Sequence, residues 1–431
     1  MTEYQTVRGM RDFLPDDMAK RNYVFSIVKG VFSKYGFEEM ETPAIENLEL
    51  LSSKEGAGEE VRKEVYRFKD QGGRELGLRF DLTVPTARVV ASNPDLPKPF
   101  KRFMIGRVWR YDRPGAGRYR EFWQADVDVF GSESALADAE CAASVCEVLS
   151  ALEFDDFSIK VNNRKLLEAL AVFSGIKENS MSVFRSVDKL DKIGKEGVAD
   201  ELEEKGILDD NVKKFLDLIC VEGGRELLCK FEELLGDKTD GIAELRSFLE
   251  QMKLLGFEER VVLQPSLARG LDYYTGNVFE CAVQEGKWSI AGGGRYDKLI
   301  QSYGGREVPA VGISIGIERV ITLMEERFLF PDLQGERVFV APVKDEVREK
   351  ALELVQELRS TGIIAETDLM GRKLGKQFAY VDSRGIKTVL VVGPKELEDK
   401  EVTVRDMESG NEERVALSDL ISFLKRGKEE D

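Results

Sequence analysis

Between Asp16 and Tyr35 apolar residues recur at helical spacing. Val24, Ile27, Val28, Val31 and Phe32 would share one face, which predicts an amphipathic helix. Gly36 ends it, and Phe37 to Pro43 predicts a strand running into a proline break. Short apolar runs predict further strands at Val65–Phe68, Leu76–Phe80, Arg102–Gly106 and Phe122–Phe130. In the last of these, large apolar and polar positions alternate, the pattern of a strand with one functional face. A second helix is predicted over Ala135–Leu152.

The rhythm changes near Lys165. From there to about Leu255 the chain is helix-rich and strongly charged, and strand and glycine signals resume only at Val261. Residues 165–255 therefore read as a helical insertion in a domain spanning 1–330. Strand-like stretches separated by glycines follow from Val278 to Ile317, then a helix from Glu318 to about Arg327. Phe328 to Glu336 reads as a linker with Pro331 and Gly335. Residues 336–431 alternate strand and helix, which predicts a small α/β domain with a parallel sheet.

With 431 residues, two or three domains are expected. The net charge is -17, yet 42% hydrophobic content supports sizeable cores. The chain contains no histidine, which excludes Ser-His-Asp and Cys-His catalysis, imidazole bases and every histidine-containing metal site. Five cysteines without a C-x-x-C pair argue against structural zinc or a disulfide scaffold. No apolar run approaches the ~20 residues of a membrane-spanning helix. The first residues lack the basic and apolar regions of a signal peptide, so a soluble cytoplasmic protein is expected.

Within this acidic chain, residues 101–120 carry Lys101, Arg102, Arg107, Arg110, Arg113, Arg118 and Arg120 against Asp112 alone, a local +6. They flank a Pro114-Gly115-Ala116-Gly117 turn and interleave with Trp109, Tyr111, Tyr119 and Phe122. A solvated loop is the ordinary meaning of such a run. Guanidinium groups beside aromatic faces equally suit a nucleotide, with phosphate held bidentately and the base stacked. A second basic stretch, Gly371 to Lys387, is either a solvated helix face or a phosphate-backbone contact. The third cluster, Arg269 to Gly276, contains adjacent Tyr273 and Tyr274, which in a strand would point to opposite faces. In the fourth, Gly292-Gly293-Gly294 deny a strand its side chains, so a ligand or another backbone can come close. The fifth, Val311 to Arg319, is a small-residue strand entering a helix.

In this order, the clusters resemble the histidyl-tRNA synthetase family of class II aminoacyl-tRNA synthetases over essentially the whole chain. Phe37 to Pro43 is similar to motif 1, Gly106 to Gln124 to motif 2, and Gly312 to Arg319 to motif 3. Arg269-Gly-Leu-Asp-Tyr-Tyr and Gly293-Gly-Arg-Tyr-Asp resemble the two histidine-specific signatures, and Arg8 to Asp12 also fits. Leu78 to Pro85 looks more like archaeal and eukaryotic members than bacterial ones. The resemblance implies an α+β fold. A mainly antiparallel class II catalytic sheet with flanking helices would carry the site, interrupted by the insertion and followed by an anticodon-binding α/β domain. It implies L-histidine, ATP with Mg²⁺, and tRNA(His) as partners, and a homodimer through motif 1.

The resemblance also implies residue roles. Asp81, Thr83 and Gln124 match positions around the histidine α-amino group, and Asp128 with Tyr274 and Tyr273 matches the imidazole end. An acid accepting an imidazole N–H rejects a wrong side chain by leaving the acid unpaired. Many bacterial members carry Glu where this chain has Asp128. Arg110 matches the motif 2 arginine on the α-phosphate, Arg269 the family's arginine near that phosphate, and Arg319 with Phe122 the nucleotide contacts. Arg110, Arg269 and Gln124 form the implied catalytic set. Arg113 and Arg118 would meet the tRNA acceptor end, although Pro114 to Gly117 replaces the polar or basic residues of bacterial relatives. Arg372, Lys373 and Lys376 would meet the anticodon region. No protein metal ligand is assigned.

Two other readings share the fold: the inert regulatory paralogue of ATP phosphoribosyltransferase, and a tRNA-sensing module. Intact signatures and a C-terminal domain weigh against the first. Intact Arg110, Arg269 and Arg319 weigh against the second. A histidine-charging enzyme without histidine could still be translated during histidine starvation; compositional chance is the plain alternative.

Overall fold

Pro15 opens the first helix, Pro15–Lys34, where its fixed φ and missing N–H do no harm, and Asp16 and Asp17 favour the same end through the helix dipole. Asp17 accepts a hydrogen bond from the Leu14 N–H at 3.1 Å. Gly36, at φ +74°, supplies the left-handed residue that ends the helix. Val24, Val28, Val31 and Phe32 are buried, the face that the spacing predicts.

The computed structural model describes residues 4–53, 63–115, 117–176, 180–236, 239–269, 273–283, 288–333 and 337–426. Ala116 of the turn, Gly270-Leu271-Asp272 of the third cluster, and Gly335 and Glu336 of the linker lie outside them. The chain divides into two compact units, Met1–Phe330 and Pro331–Asp431.

The first unit is built on an eight-stranded sheet. Its strands are β1 (Glu38–Glu39), β5 (Phe100–Trp109), β6 (Glu121–Phe130), β7 (Phe157–Asn163), β8 (Val261–Leu263), β9 (Asn277–Val283), β10 (Trp288–Arg295) and β11 (Ala310–Gly316). Their order is β1-β5-β6-β11-β10-β9-β7-β8. The edge pairs β1·β5 and β7·β8 are parallel and the inner pairs are antiparallel. A smaller sheet in the order β2-β4-β3 joins Ile45–Asn47 (β2), Arg67–Lys69 (β3) and Glu75–Leu78 (β4).

One expectation contracts here. The strand expected over Phe37–Pro43 pairs only at Glu38–Glu39. Beyond Met40 the backbone leaves the ladder, and the Thr42 carbonyl instead accepts from Arg79 Nη1 at 2.6 Å.

Helix Ala135–Ala151 covers one face of the sheet and is buried almost all round. Its alanines and cysteines let it lie close to the strands, and Ser134 caps it by accepting from the Leu136 N–H at 3.2 Å. Between β7 and β8 come six α-helices among the described residues, Arg164–Phe173, Ser180–Val187, Leu190–Glu204, Asp209–Ile219, Arg225–Leu235 and Gly241–Leu254. Their buried stripes continue the main core.

In the second unit β12 (Arg337–Pro342), β13 (Ile364–Thr367), β14 (Thr388–Val392), β15 (Glu401–Asp406) and β16 (Glu412–Ala416) lie in the order β13-β12-β14-β15-β16. The first three are parallel, as the alternating pattern predicts. The last two are antiparallel, which it does not. Their charged outward positions hide a short hairpin whose inward residues are only Val402, Val404 and Val415. No described helix is long and apolar enough to cross a membrane.

Candidate active site

The two faces of β6 divide the labour of this unit. Ala125, Val127 and Val129 turn into the core, while Phe122, Gln124, Asp126 and Asp128 share the opposite face. Cross-strand register then sets three rows. Asp128 lies between Arg102 of β5 and Gly312 of β11, Asp126 between Met104 and Ser314, and Gln124 between Gly106 and Gly316. The glycines make these rows possible. A Cβ on Gly312 would overlap the Asp128 carboxylate, one on Gly292 the Arg269 guanidinium, and one on Gly293 the Gly312 carbonyl. The glycine run thus admits the site's own side chains and a neighbouring strand.

Three acids are buried at one end of the resulting cleft: Asp81, Asp126 and Asp128. Asp81 precedes helix Thr83–Ser92 and accepts from the Val84 N–H at 3.0 Å. Asp128 is paired with the fully buried Arg102 and accepts from the Tyr296 hydroxyl. Ser314 donates to Asp126, and Gln124 Nε2 donates to Ser314 Oγ at 2.8 Å. Tyr273 and Tyr274 close the pocket edge to face, with centroids 4.9 Å apart, and Tyr273 meets Tyr296 in the same way.

Burial pushes the Asp81 carboxyl up to about 6 against the pull of the Val84 N–H and Arg110. It pushes Asp126 up to about 7, with Arg102 opposing and Asp128 adding to the rise. Asp128 is also raised by burial, against Arg102 and Tyr296. Between the ordinary carboxyl value near 4 and these raised values, the folded chain holds protons that the unfolded chain has released. Stability of the ligand-free protein must therefore fall as pH rises through that window. Asp126→Asn is expected to flatten this loss, giving a higher urea midpoint than wild type at pH 8, with the gap closing as pH falls toward the ordinary carboxyl value. Parallel pH slopes for the two proteins would contradict it.

The other end of the cleft is cationic. Arg110, Arg118, Arg269 and Arg319 line it with Phe122, and the cavity of about 400 Å³ shares Arg110, Arg269 and Gln124 with the acidic pocket. That volume suits a small-molecule site. Arg110 donates to the Phe80 carbonyl at 3.0 Å and lies 5.3 Å from the Phe122 ring centroid. Arg269 has a left-handed backbone, φ 53°, uncommon for a residue with a side chain. It pairs with Glu280 at 3.0 Å and donates to Tyr274. Arg319, at the start of helix Ile317–Glu326, donates to the Ser289 carbonyl. Its pKa is lowered, first by burial and then by Arg118, Arg269 and Arg110 with Glu280 opposing, a crowding of like charge that a polyanion would relieve.

Every residue singled out for histidine or nucleotide lines this cleft: Asp81, Thr83, Arg110, Phe122, Gln124, Asp128, Arg269, Tyr273, Tyr274 and Arg319. The tyrosines, however, are not strand neighbours on opposite faces. Both precede β9, both are buried, and both face the pocket. Of the seven basic residues in 101–120, Arg110 and Arg118 line it. Lys101 pairs with Glu140, Arg107 with Glu121, and Arg120 stacks on Tyr111. Arg118 pairs with Asp112, and both Arg113 and Arg118 are exposed.

Asp126, Ser314, Arg102 and Tyr296 were not foreseen in their roles. The alternation in β6 could have found Asp126, since it lies two residues from both Gln124 and Asp128. In the second unit Arg372 pairs with Asp368 at 3.3 Å and lies 4.5 Å from the Tyr380 ring, while Lys373 and Lys376 are exposed.

Residues 9–320 match the family model described as Histidyl-tRNA synthetase, and 337–427 match the Anticodon binding domain. The chain is 39% identical over 428 residues to a histidine--tRNA ligase of Pyrococcus furiosus, covering 98% of both chains. It is 40% identical to one of Thermococcus kodakarensis, covering 98% of this chain and all of that one. Among solved structures it resembles histidyl-tRNA synthetase from Nostoc sp. PCC 7120, with a TM-score of 0.83 and 31% identity over 99% of this chain and 100% of that one.

Proposed function

Because the chain belongs to the histidyl-tRNA synthetase family and attaches histidine to tRNA(His), we propose that the cleft on β6 is where histidine is first joined to AMP. One observation carries the reading: a buried acid cluster and a set of arginines line the two ends of one continuous cleft. The acids suit a cationic amino acid, and the arginines suit a triphosphate.

Histidine lies with its imidazole toward Asp128, Tyr273 and Tyr274 and its ammonium toward Asp81, Thr83 and Gln124. A carboxylate oxygen of the substrate attacks the α-phosphorus of ATP. The new O–P bond forms as the bond to the β-phosphate oxygen breaks and pyrophosphate leaves. The protein's part is to align the reactants and to meet negative charge growing on the α-phosphate with Arg110 and Arg269. Phe122 and Arg319 hold the adenine and the outer phosphates. Mg²⁺ arrives on ATP as part of the substrate. Glu318 and Glu280, the acids beside the arginines, are already engaged by Arg21 and Arg269.

In the second step a terminal hydroxyl of tRNA attacks the acyl carbon, the acyl–phosphate bond breaks, and the proton passes to the AMP phosphate. With no histidine in the chain, that phosphate oxygen is the acceptor at hand. Arg113, free at the loop surface, faces the acceptor end, while Lys373 and Lys376 are the anticodon contacts. The enzyme works in the cytoplasm as a homodimer paired through the segment around β1.

ATP–pyrophosphate exchange tests the reading. Exchange is expected with L-histidine and to be lower by about 10³-fold or more with other amino acids. Exchange that is absent, or indifferent to the amino acid, would overturn it.

A further inference from the structure

Three residues that line the acid end of the cleft each hold a buried oxygen without a donor: Asp81 Oδ2, Gln124 Oε1 and Asp126 Oδ1. Asp128 Oδ2 is buried as well but already faces Arg102, so it belongs to a different pairing. A primary ammonium group donates three hydrogen bonds and accepts none. Acceptors without donors in one pocket are the partners such a group seeks. Buried acceptors left unpaired are costly, so they point to a ligand that supplies the missing protons.

The amide of Gln124 presents its oxygen because of Asp126. The Ser314 hydroxyl has one proton, and Asp126 takes it. Ser314 Oγ can then only accept from Gln124, so Nε2 is drawn to it at 2.8 Å and Oε1 is left without a partner. Without the acid, the hydroxyl could donate to the amide oxygen and the amide could turn over. The register fixes the three residues together, since Asp126 and Ser314 are direct cross-strand partners and Gln124 is two residues along the same face.

We propose that Asp126 is a further acceptor for the substrate's α-ammonium group, beside Asp81, Thr83 and Gln124, and that Ser314 sets the Gln124 amide for the same contact. This rests on the cleft binding histidine. It goes beyond that reading by assigning specificity for the amino group to a relay of Asp126, Ser314 and Gln124. Asp126 carries an oxygen that touches the ligand; Ser314 is a positioning residue that acts through Gln124.

The test compares ligands that differ at one group, using the full-length chain and calorimetry. L-Histidine and L-histidinol carry the ammonium; 3-(imidazol-4-yl)propanoate lacks it. For Asp126→Asn, the dissociation constants of histidine and histidinol are expected to rise about 10- to 100-fold, the range for a hydrogen bond to a charged group. That of the propanoate should stay within about twofold. Ser314→Ala should show the same selectivity with a smaller rise, and it serves if the first variant folds poorly. Equal weakening of all three ligands, or no weakening of histidine, would overturn the proposal. Wild type that fails to bind histidine would instead overturn the function on which it rests.

Discussion

Arg269→Ala is expected to lower histidine-dependent exchange by about 10³-fold or more, the range for losing a fixed cation that stabilises charge in a transition state. Several features single out this arginine. Its backbone is held at φ 53°, its guanidinium occupies the space that Gly292 leaves, and Glu280 and Tyr274 fix its orientation. A side chain so constrained loses little entropy when a phosphate arrives. Histidine affinity should change only a few-fold, because the acids that hold the amino acid keep their own partners. Single-turnover adenylation read beside equilibrium histidine binding separates the two effects. Unchanged exchange would remove Arg269 from the chemistry.

The second large effect is on stability. Arg102 has no exposed surface, and its guanidinium is the cation paired with Asp128 and lowering Asp126. Arg102→Met keeps most of the volume but leaves buried acids without their counter-charge. Breaking a buried pair from one side costs about 3–5 kcal/mol. The loss should be larger at pH 8 than at pH 5, since at the lower pH the acids can take up protons instead. Urea unfolding at the two pH values checks this. A variant as stable as wild type at pH 8 would show that the acids do not depend on this arginine.

Much of this site was legible in the chain. Periodicity marked the helices, and the alternation from Phe122 to Phe130 marked a strand with a working face. The glycine run pointed to a close approach by a ligand or another backbone, and the arginines of motifs 2 and 3 to an anion site. What could not be read was burial of charge. Arg102 sits in a basic run that looks like solvated surface, since arginine and aspartate are seldom fully buried. Only the register of β5 on β6 shows that it lies under Asp128. Tyr296 was likewise quoted as part of a signature, but its hydrogen bond to Asp128 depends on a contact 168 residues apart. The tyrosine pair misled because period-two reasoning applies inside a ladder, and these residues lie just before one.

Glu318 immediately precedes Arg319 in the chain. Its carboxylate accepts from the Trp123 N–H at 2.8 Å and from the buried Arg21 at 3.2 Å. Arg21 belongs to the opening helix and is further covered by Phe13, 3.6 Å from the ring centroid. The arginine proposed to hold the nucleotide therefore follows a carboxylate anchored by a peg set almost three hundred residues upstream. On the proposed roles, an insult to the amino-terminal segment would be felt first as a slackened hold on ATP, with the amino acid still gripped.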